Sequence, residues 1–223
     1  MSNTPNFFPM LVRLTRRKCL VVGAGKIAAD KTAGLLIHGA KVEVVGPRAV
    51  GQIQELARKG KIVWHRRKFS PRDLDGRFLV VAATNSSIIN RAVFLACKAR
   101  GVLCNAVDDP AHCDFFYPAV VRRGPLQIAI STNGQSPALA ARLRRELEKQ
   151  FGPEWRDWVE HVGKLRREIL DKRMSAKTRR KRLLEIASAG EFQEFTRRGS
   201  LQKRGTAGAA RQTTRLPVHK SKR

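Results

Sequence analysis

Short apolar runs alternate with amphipathic stretches over the first half of the chain, and the alternation changes character near residue 110. Cys19–Val22, Lys41–Val45, Ile62–Trp64, Phe78–Ala83 and Val102–Val107 are short and dominated by Val, Leu and Ala. Such runs are mostly continuous rather than alternating, as expected of parallel strands buried on both faces. Between them lie helical patterns, from about Lys26 to His38, from about Ala49 to Lys59, and around Asn90, Arg91, Val93, Leu95 and Ala96 up to Gly101. His38-Gly39-Ala40, Gly46-Pro47, Gly60, Asp73–Gly76 and Thr84–Ser87 supply the breaks, the last with hydroxyls suited to capping the following helix. Strands and helices alternating at this spacing predict a parallel sheet with right-handed crossovers.

Beyond Asp108-Asp109-Pro110 the pattern differs. Phe115–Val121 and Leu126–Ser131 are β-runs joined by Arg122-Arg123-Gly124-Pro125, which reads as a hairpin. Asn133–Pro137 then opens a helix, with Ser136 at the N-cap and Pro137 at the first helical position. Ala138–Phe151 is amphipathic, with Leu139, Leu143 and Leu147 on one face. After Gly152-Pro153 the chain reads as helical and basic to about Arg198, with Trp155, Trp158, Val162, Leu165 and Ile169 as a second apolar stripe. The fold class expected is α/β: a Rossmann-like parallel-sheet domain over 1–112, a small α+β region over 113–150, a helical region over 151–199, and a basic, disordered tail over 200–223.

Length, composition and charge add to this picture. A chain of 223 residues buries one good core and a second, smaller one. No apolar run approaches the ~20 residues of a membrane span, and the N-terminus lacks the pattern of a signal peptide. The four cysteines form no C-x-x-C pair; two fall in expected strands and one in a helix, so buried free thiols in a reducing cytoplasm are expected. The formal charge of +27 attracts polyanions, whether nucleic acid, an acidic surface or a small substrate with many carboxylates. Much of the surplus is terminal: from Arg197 onward there are nine Lys/Arg and no Asp/Glu, which reads as a solvated tail.

Chemistry concentrates where the first strand runs into Gly23-Ala24-Gly25-Lys26-Ile27-Ala28. The glycines permit a tight turn and let backbone N–H groups approach a ligand. The helix that follows turns its positive end toward the same place, which favours a pyrophosphate. Ala28 stands where close helix–strand packing needs a small residue in a G-x-G-x-x-A fingerprint. The plain alternative is a strand–turn–helix corner without a ligand. A strand before the motif, a helix after it and a second strand beyond favour a dinucleotide site.

Several blocks together resemble the precorrin-2 dehydrogenase / sirohydrochlorin ferrochelatase family of sirohaem synthesis, over about Phe7–Phe151. They are Pro9–Val12, Cys19–Lys31, Val81–Asn85, Cys104–Pro110, Cys113–Pro118 and Ile128–Ala140. No long methyltransferase module follows, so the stand-alone form is expected. The resemblance implies NAD-dependent oxidation of precorrin-2 to sirohydrochlorin, followed in some members by insertion of ferrous iron at the same site. It also implies a homodimer, with the hairpin region exchanged or paired between subunits and a C-terminal helical part covering the cleft; the expected location is the cytoplasm.

Carried residue by residue, it assigns Gly23, Ala24, Gly25, Lys26 and Ile27 to the cofactor loop, Pro47 and Arg48 to the adenosine side, and Thr84 to the crevice. No acidic residue stands in Gly46-Pro47-Arg48 to bind a ribose 2′-OH, and Arg48 also suits a 2′-phosphate. The choice of NAD over NADP therefore rests on the resemblance. Asp108, closing the fifth strand, matches the aspartate required for dehydrogenation; a carboxylate there takes a proton, orients a pyrrole nitrogen or holds a metal transiently. Its plain alternative, shared by Asp109, is a turn before Pro110. His112 and Cys113 are adjacent on extended backbone and point apart, which disfavours a joint metal site; the metal-binding residues are left unassigned. Arg122, Arg123, Arg142, Arg144 and Arg145 are candidates for the substrate's carboxylates, a solvated helix face being their alternative. The competing reading of the whole chain is a non-catalytic basic Rossmann-fold protein binding nucleic acid or a tetrapyrrole. It lacks a recognition-helix or aromatic RNA-binding pattern, and no nucleic-acid binding is expected beyond nonspecific attraction.

Overall fold

The computed structural model describes residues 7–199; the tail expected over 200–223 lies outside them. Five parallel strands, β1 (Lys18–Val22), β2 (Lys41–Val45), β3 (Val63–His65), β4 (Leu79–Ala82) and β5 (Leu103–Ala106), form one sheet in the order β3-β2-β1-β4-β5. Helices α1 (Lys26–Ile37), α2 (Gly51–Arg58) and α3 (Ser87–Lys98) connect β1 to β2, β2 to β3 and β4 to β5, and a short 3-10 turn at Pro71–Leu74 lies between β3 and β4. The expected α/β Rossmann-like architecture is what forms.

Alternate residues of β1 show why its run is wholly apolar. Cys19 and Val21 face a core shared with Ala28, Ala29, Leu35 and Ile53 of α1 and α2. Leu20 and Val22 face a second core with Val93, Phe94 and Cys97 of α3. Each fully buried side chain of this size contributes about 1.5–3 kcal/mol, so the central strand stabilises both layers at once. On α1 the inward positions are small: Ala28, Ala29 and Thr32 are all buried, and the helix lies close to the sheet. On β2, Glu43 Oε2 accepts from Arg77 Nη2 at 2.8 Å, and His65 Nε2 of β3 lies 2.8 Å from the same oxygen. Hydrogen bonding to Arg77 holds the Glu43 carboxyl below its ordinary pKa.

The chain divides into two compact units. The first ends at Tyr117 and takes in Thr132–Pro137; the second holds Pro118–Ser131 and starts again at Ala138. In the second, β6 (Ala119–Arg123) and β7 (Leu126–Ile130) pair antiparallel, with Val121 opposite Ile128. The Arg123 guanidinium reaches the end of α4 (Pro137–Gln150), donating from Nε to the Phe151 carbonyl at 2.7 Å and from Nη2 to that of Glu148 at 2.9 Å. This is where a helix most favours a cation. Helix α5 (Glu154–Asp171) buries Trp158 and Ile169, and Trp155 stacks on Phe192 with centroids 4.5 Å apart. α6 (Ala176–Glu185), capped by the Ser175 hydroxyl, buries none of its residues.

The hairpin differs from its sequence pattern at one end: β6 begins at Ala119, not at Phe115. Asn105 captures the Phe115 carbonyl with a side-chain N–H at 2.9 Å, which fixes Phe115 in the first unit. Pro118, without an N–H, then stands just before the strand.

Candidate functional site

The glycine turn, Thr84 and Asp108 all lie at the carboxyl ends of the parallel strands, following β1, β4 and β5. The strand order reverses between β1 and β4, and ligands of open α/β sheets bind in the crevice at such a switch point.

Gly23 adopts φ +109, and a Cβ on it would fall on the Ala83 carbonyl and within 3.0 Å of the Thr84 nitrogen. The two strand ends are thus packed backbone on backbone, which no other residue allows. Gly46 is similarly close, with 3.1 Å between an added Cβ and that of Ala24. The turn is pinned by Gly23 N–H to the Val45 carbonyl at 2.8 Å and Val50 N–H to that of Ala24 at 3.0 Å. Gly25 is exposed, no atom lies within 4 Å of where its Cβ would be, and no side chain caps the start of α1. The first turn of α1 therefore presents backbone donors beside an open approach, the geometry a pyrophosphate needs. Lys26, Ile27, Pro47 and Arg48 are exposed at the same edge.

Thr84 is held by a residue whose role the sequence pattern does not reveal. Asn90, buried in α3, accepts from the Thr84 backbone at 3.0 Å and from its hydroxyl at 2.7 Å, and donates to its carbonyl at 3.1 Å. Ser86 provides the N-cap, accepting from Ile89 N–H at 3.4 Å. Asn90→Ala is expected to lower stability by about 1–3 kcal/mol, because the Thr84 N–H loses its partner. In urea unfolding the midpoint should fall with the slope unchanged.

The segment bearing Asp108 is a clamped loop. The Cys104 N–H donates to Asp114 Oδ2 at 2.9 Å, and the Asp114 N–H to the Cys104 carbonyl at 2.8 Å. Asn105 donates to Phe115 and to Cys113 Sγ. The return strand is thereby tied to β5 on both sides of the loop tip. Asp108 sits at that tip with φ +61, a left-handed conformation that Asp and Asn tolerate better than most residues. It is exposed, and no hydrogen bond or ion pair among the described residues engages its carboxylate. Asp109 differs: its Oδ2 lies 2.7 Å from His112 Nδ1, and its backbone closes the turn onto Ala106 and His112. Asp109 therefore takes the turn role and leaves Asp108 facing solvent.

Lys31 of α1 lies in the same neighbourhood, its Nζ 3.8 Å from the centroid of the Tyr117 ring. Burial pushes its ammonium below the ordinary lysine pKa, and the charges of Asp108 and Asp30 push it back up. The four cysteines are free, and Cys19, Cys97 and Cys104 are buried. Burial raises the Cys19 thiol to about 11 and raises that of Cys113 as well, so neither is a reactive thiolate. Among the described residues no group of three His, Cys, Asp or Glu could hold a metal ion, and no helix is long and apolar enough to cross a membrane.

Two family models match the chain: that for NAD(P)-binding domains over residues 10–119 and that for the central part of sirohaem biosynthesis proteins over residues 123–150. Siroheme synthase of Photorhabdus laumondii subsp. laumondii is 36% identical over 197 residues, 88% of this chain and 42% of that protein. Siroheme synthase 1 of Yersinia enterocolitica serotype O:8 is 38% identical over 196 residues, 88% of this chain and 41% of that protein. The chain thus spans less than half the length of the curated relatives it matches. Among solved structures, SirC, precorrin-2 dehydrogenase, superposes with a TM-score of 0.69 at 28% identity, covering 86% of this chain and 98% of that one.

Proposed function

The chain belongs to the family of sirohaem biosynthesis proteins, and from that premise we propose that it oxidises precorrin-2 to sirohydrochlorin with NAD. The observation that carries this reading is the placement of the Gly23 turn and an unengaged Asp108 carboxylate at the tips of one sheet.

The residues present fit a dinucleotide: the Gly23 backbone contact, the open side of Gly25 and the uncapped first turn of α1 make a pyrophosphate cradle. Gly23, Ala24, Gly25, Lys26 and Ile27 hold the phosphates, Pro47 and Arg48 border the adenosine, and Thr84 borders the crevice. NAD, when bound, supplies the hydride acceptor. The oxidation also releases a proton from the ring system, and Asp108 takes it. An exposed carboxylate without a competing partner is free to do so. The loop clamped by Asn105 and Asp114 keeps Asp108 at the strand tip through turnover.

Asp108 also serves insertion of ferrous iron, a substrate here, by accepting protons from the macrocycle. The active form is a homodimer in the cytoplasm. A two-stranded sheet such as β6–β7 is marginal alone and has both edges open among the described residues, which supports pairing there with a second copy. The charge of +27 suits a substrate bearing eight carboxylates.

Purified protein given precorrin-2 and NAD should show growth of absorbance at 340 nm from reduced cofactor. A salt-sensitive shift of DNA mobility without any turnover would instead favour the nucleic-acid reading.

A further inference from the structure

Nothing that builds the cofactor turn uses Lys31. Its stem is half-buried against the first unit, yet its ammonium makes no hydrogen bond and no ion pair among the described residues. The Tyr117 ring lies against it at 3.8 Å, and a ring face stabilises a cation without accepting its N–H groups in ordinary hydrogen bonds. Three donors are left on a group that has lost part of its hydration. Asp108 is near enough to act on it electrostatically, as is the exposed Asp30.

We propose that Lys31 is a substrate-anchoring residue: its ammonium binds a carboxylate of the anionic macrocycle and fixes the ring beside Asp108. This rests on the reading of the strand tips as the place of tetrapyrrole oxidation. A carboxylate arriving there satisfies the free donors with a charge-assisted hydrogen bond in surroundings less screened than bulk water. The cation that burial disfavours is stabilised by that same anion, so binding restores what partial desolvation removed. The Cys113 thiol, kept protonated by burial, does not compete for the ammonium.

The test is binding of sirohydrochlorin, followed by its own absorbance, beside steady-state oxidation of precorrin-2. Lys31→Met keeps the apolar stem and removes the charge. Product affinity should fall roughly 10- to 100-fold, the size of a lost hydrogen bond to a charged group. KM for precorrin-2 should rise by a similar factor, kcat should change less than about threefold, and NAD affinity should stay the same. Lys31→Arg should restore most of the product affinity. Should the Met variant fail to fold, Lys31→Gln is put through the same measurements. Unchanged product affinity in a folded variant overturns the proposal, and so does an equal loss in Lys31→Arg, which would mark a packing role. A wild-type protein that neither binds sirohydrochlorin nor oxidises precorrin-2 would instead overturn the underlying reading.

Discussion

Asp108→Asn is expected to lower kcat for precorrin-2 oxidation by roughly 10²–10⁴, the usual contribution of a positioned general base. Asparagine is the substitution of choice because the position has φ +61, and Asn accepts that conformation with little strain. The loop should therefore keep its shape, since Asn105 and Asp114 hold its flanks without help from Asp108. NAD affinity and the melting temperature should match wild type. Rates of cofactor reduction and of iron insertion, scored separately, check the assignment to both steps. Retention of full oxidation in the variant removes Asp108 from its role.

Gly23→Ala should damage the protein before any chemistry begins. A Cβ there meets the Ala83 backbone, which cannot rotate aside, and φ +109 strains any L-residue. Strain and overpacking, at about 1–3 kcal/mol each, together give a loss of roughly 2–6 kcal/mol. For a protein of this size that lowers the melting temperature by roughly 5–20 °C. NAD binding, read by calorimetry on whatever fraction folds, should disappear. A variant that melts like wild type and still binds NAD would mean that the β1–β4 contact is looser than described. Gly25→Ala makes the contrast: nothing lies within 4 Å of its added Cβ, so the fold should survive.

The sheet was legible because parallel strands buried on two faces leave short apolar runs, as Leu79–Ala82, buried at every position, illustrates. The glycine turn was legible from its spacing, but the fold shows that close approach and φ +109 demand glycine at Gly23, while Gly25 has open space around it. Asp108 was reached through the family resemblance, since an Asp-Asp-Pro sequence alone is also a good turn. The structure separates the two aspartates, giving His112 to Asp109. Other features depend on contacts far along the chain. Phe115 looked like strand until Asn105, ten residues earlier, took its carbonyl. Asn90 entered the sequence pattern only as part of a helix, yet its amide makes three bonds to Thr84. Lys31 carries no sequence signal of its own, and its contact with Tyr117, far along the chain, arises only in the fold.

A crystal structure with NAD and sirohydrochlorin bound tests the arrangement at the strand tips most directly. The expected density places the pyrophosphate on the backbone of Gly23–Ile27, the nicotinamide at the carboxyl ends of β1 and β4, and the macrocycle against it beside Asp108. A dinucleotide bound elsewhere, or a tetrapyrrole seated away from Asp108, would contradict the account.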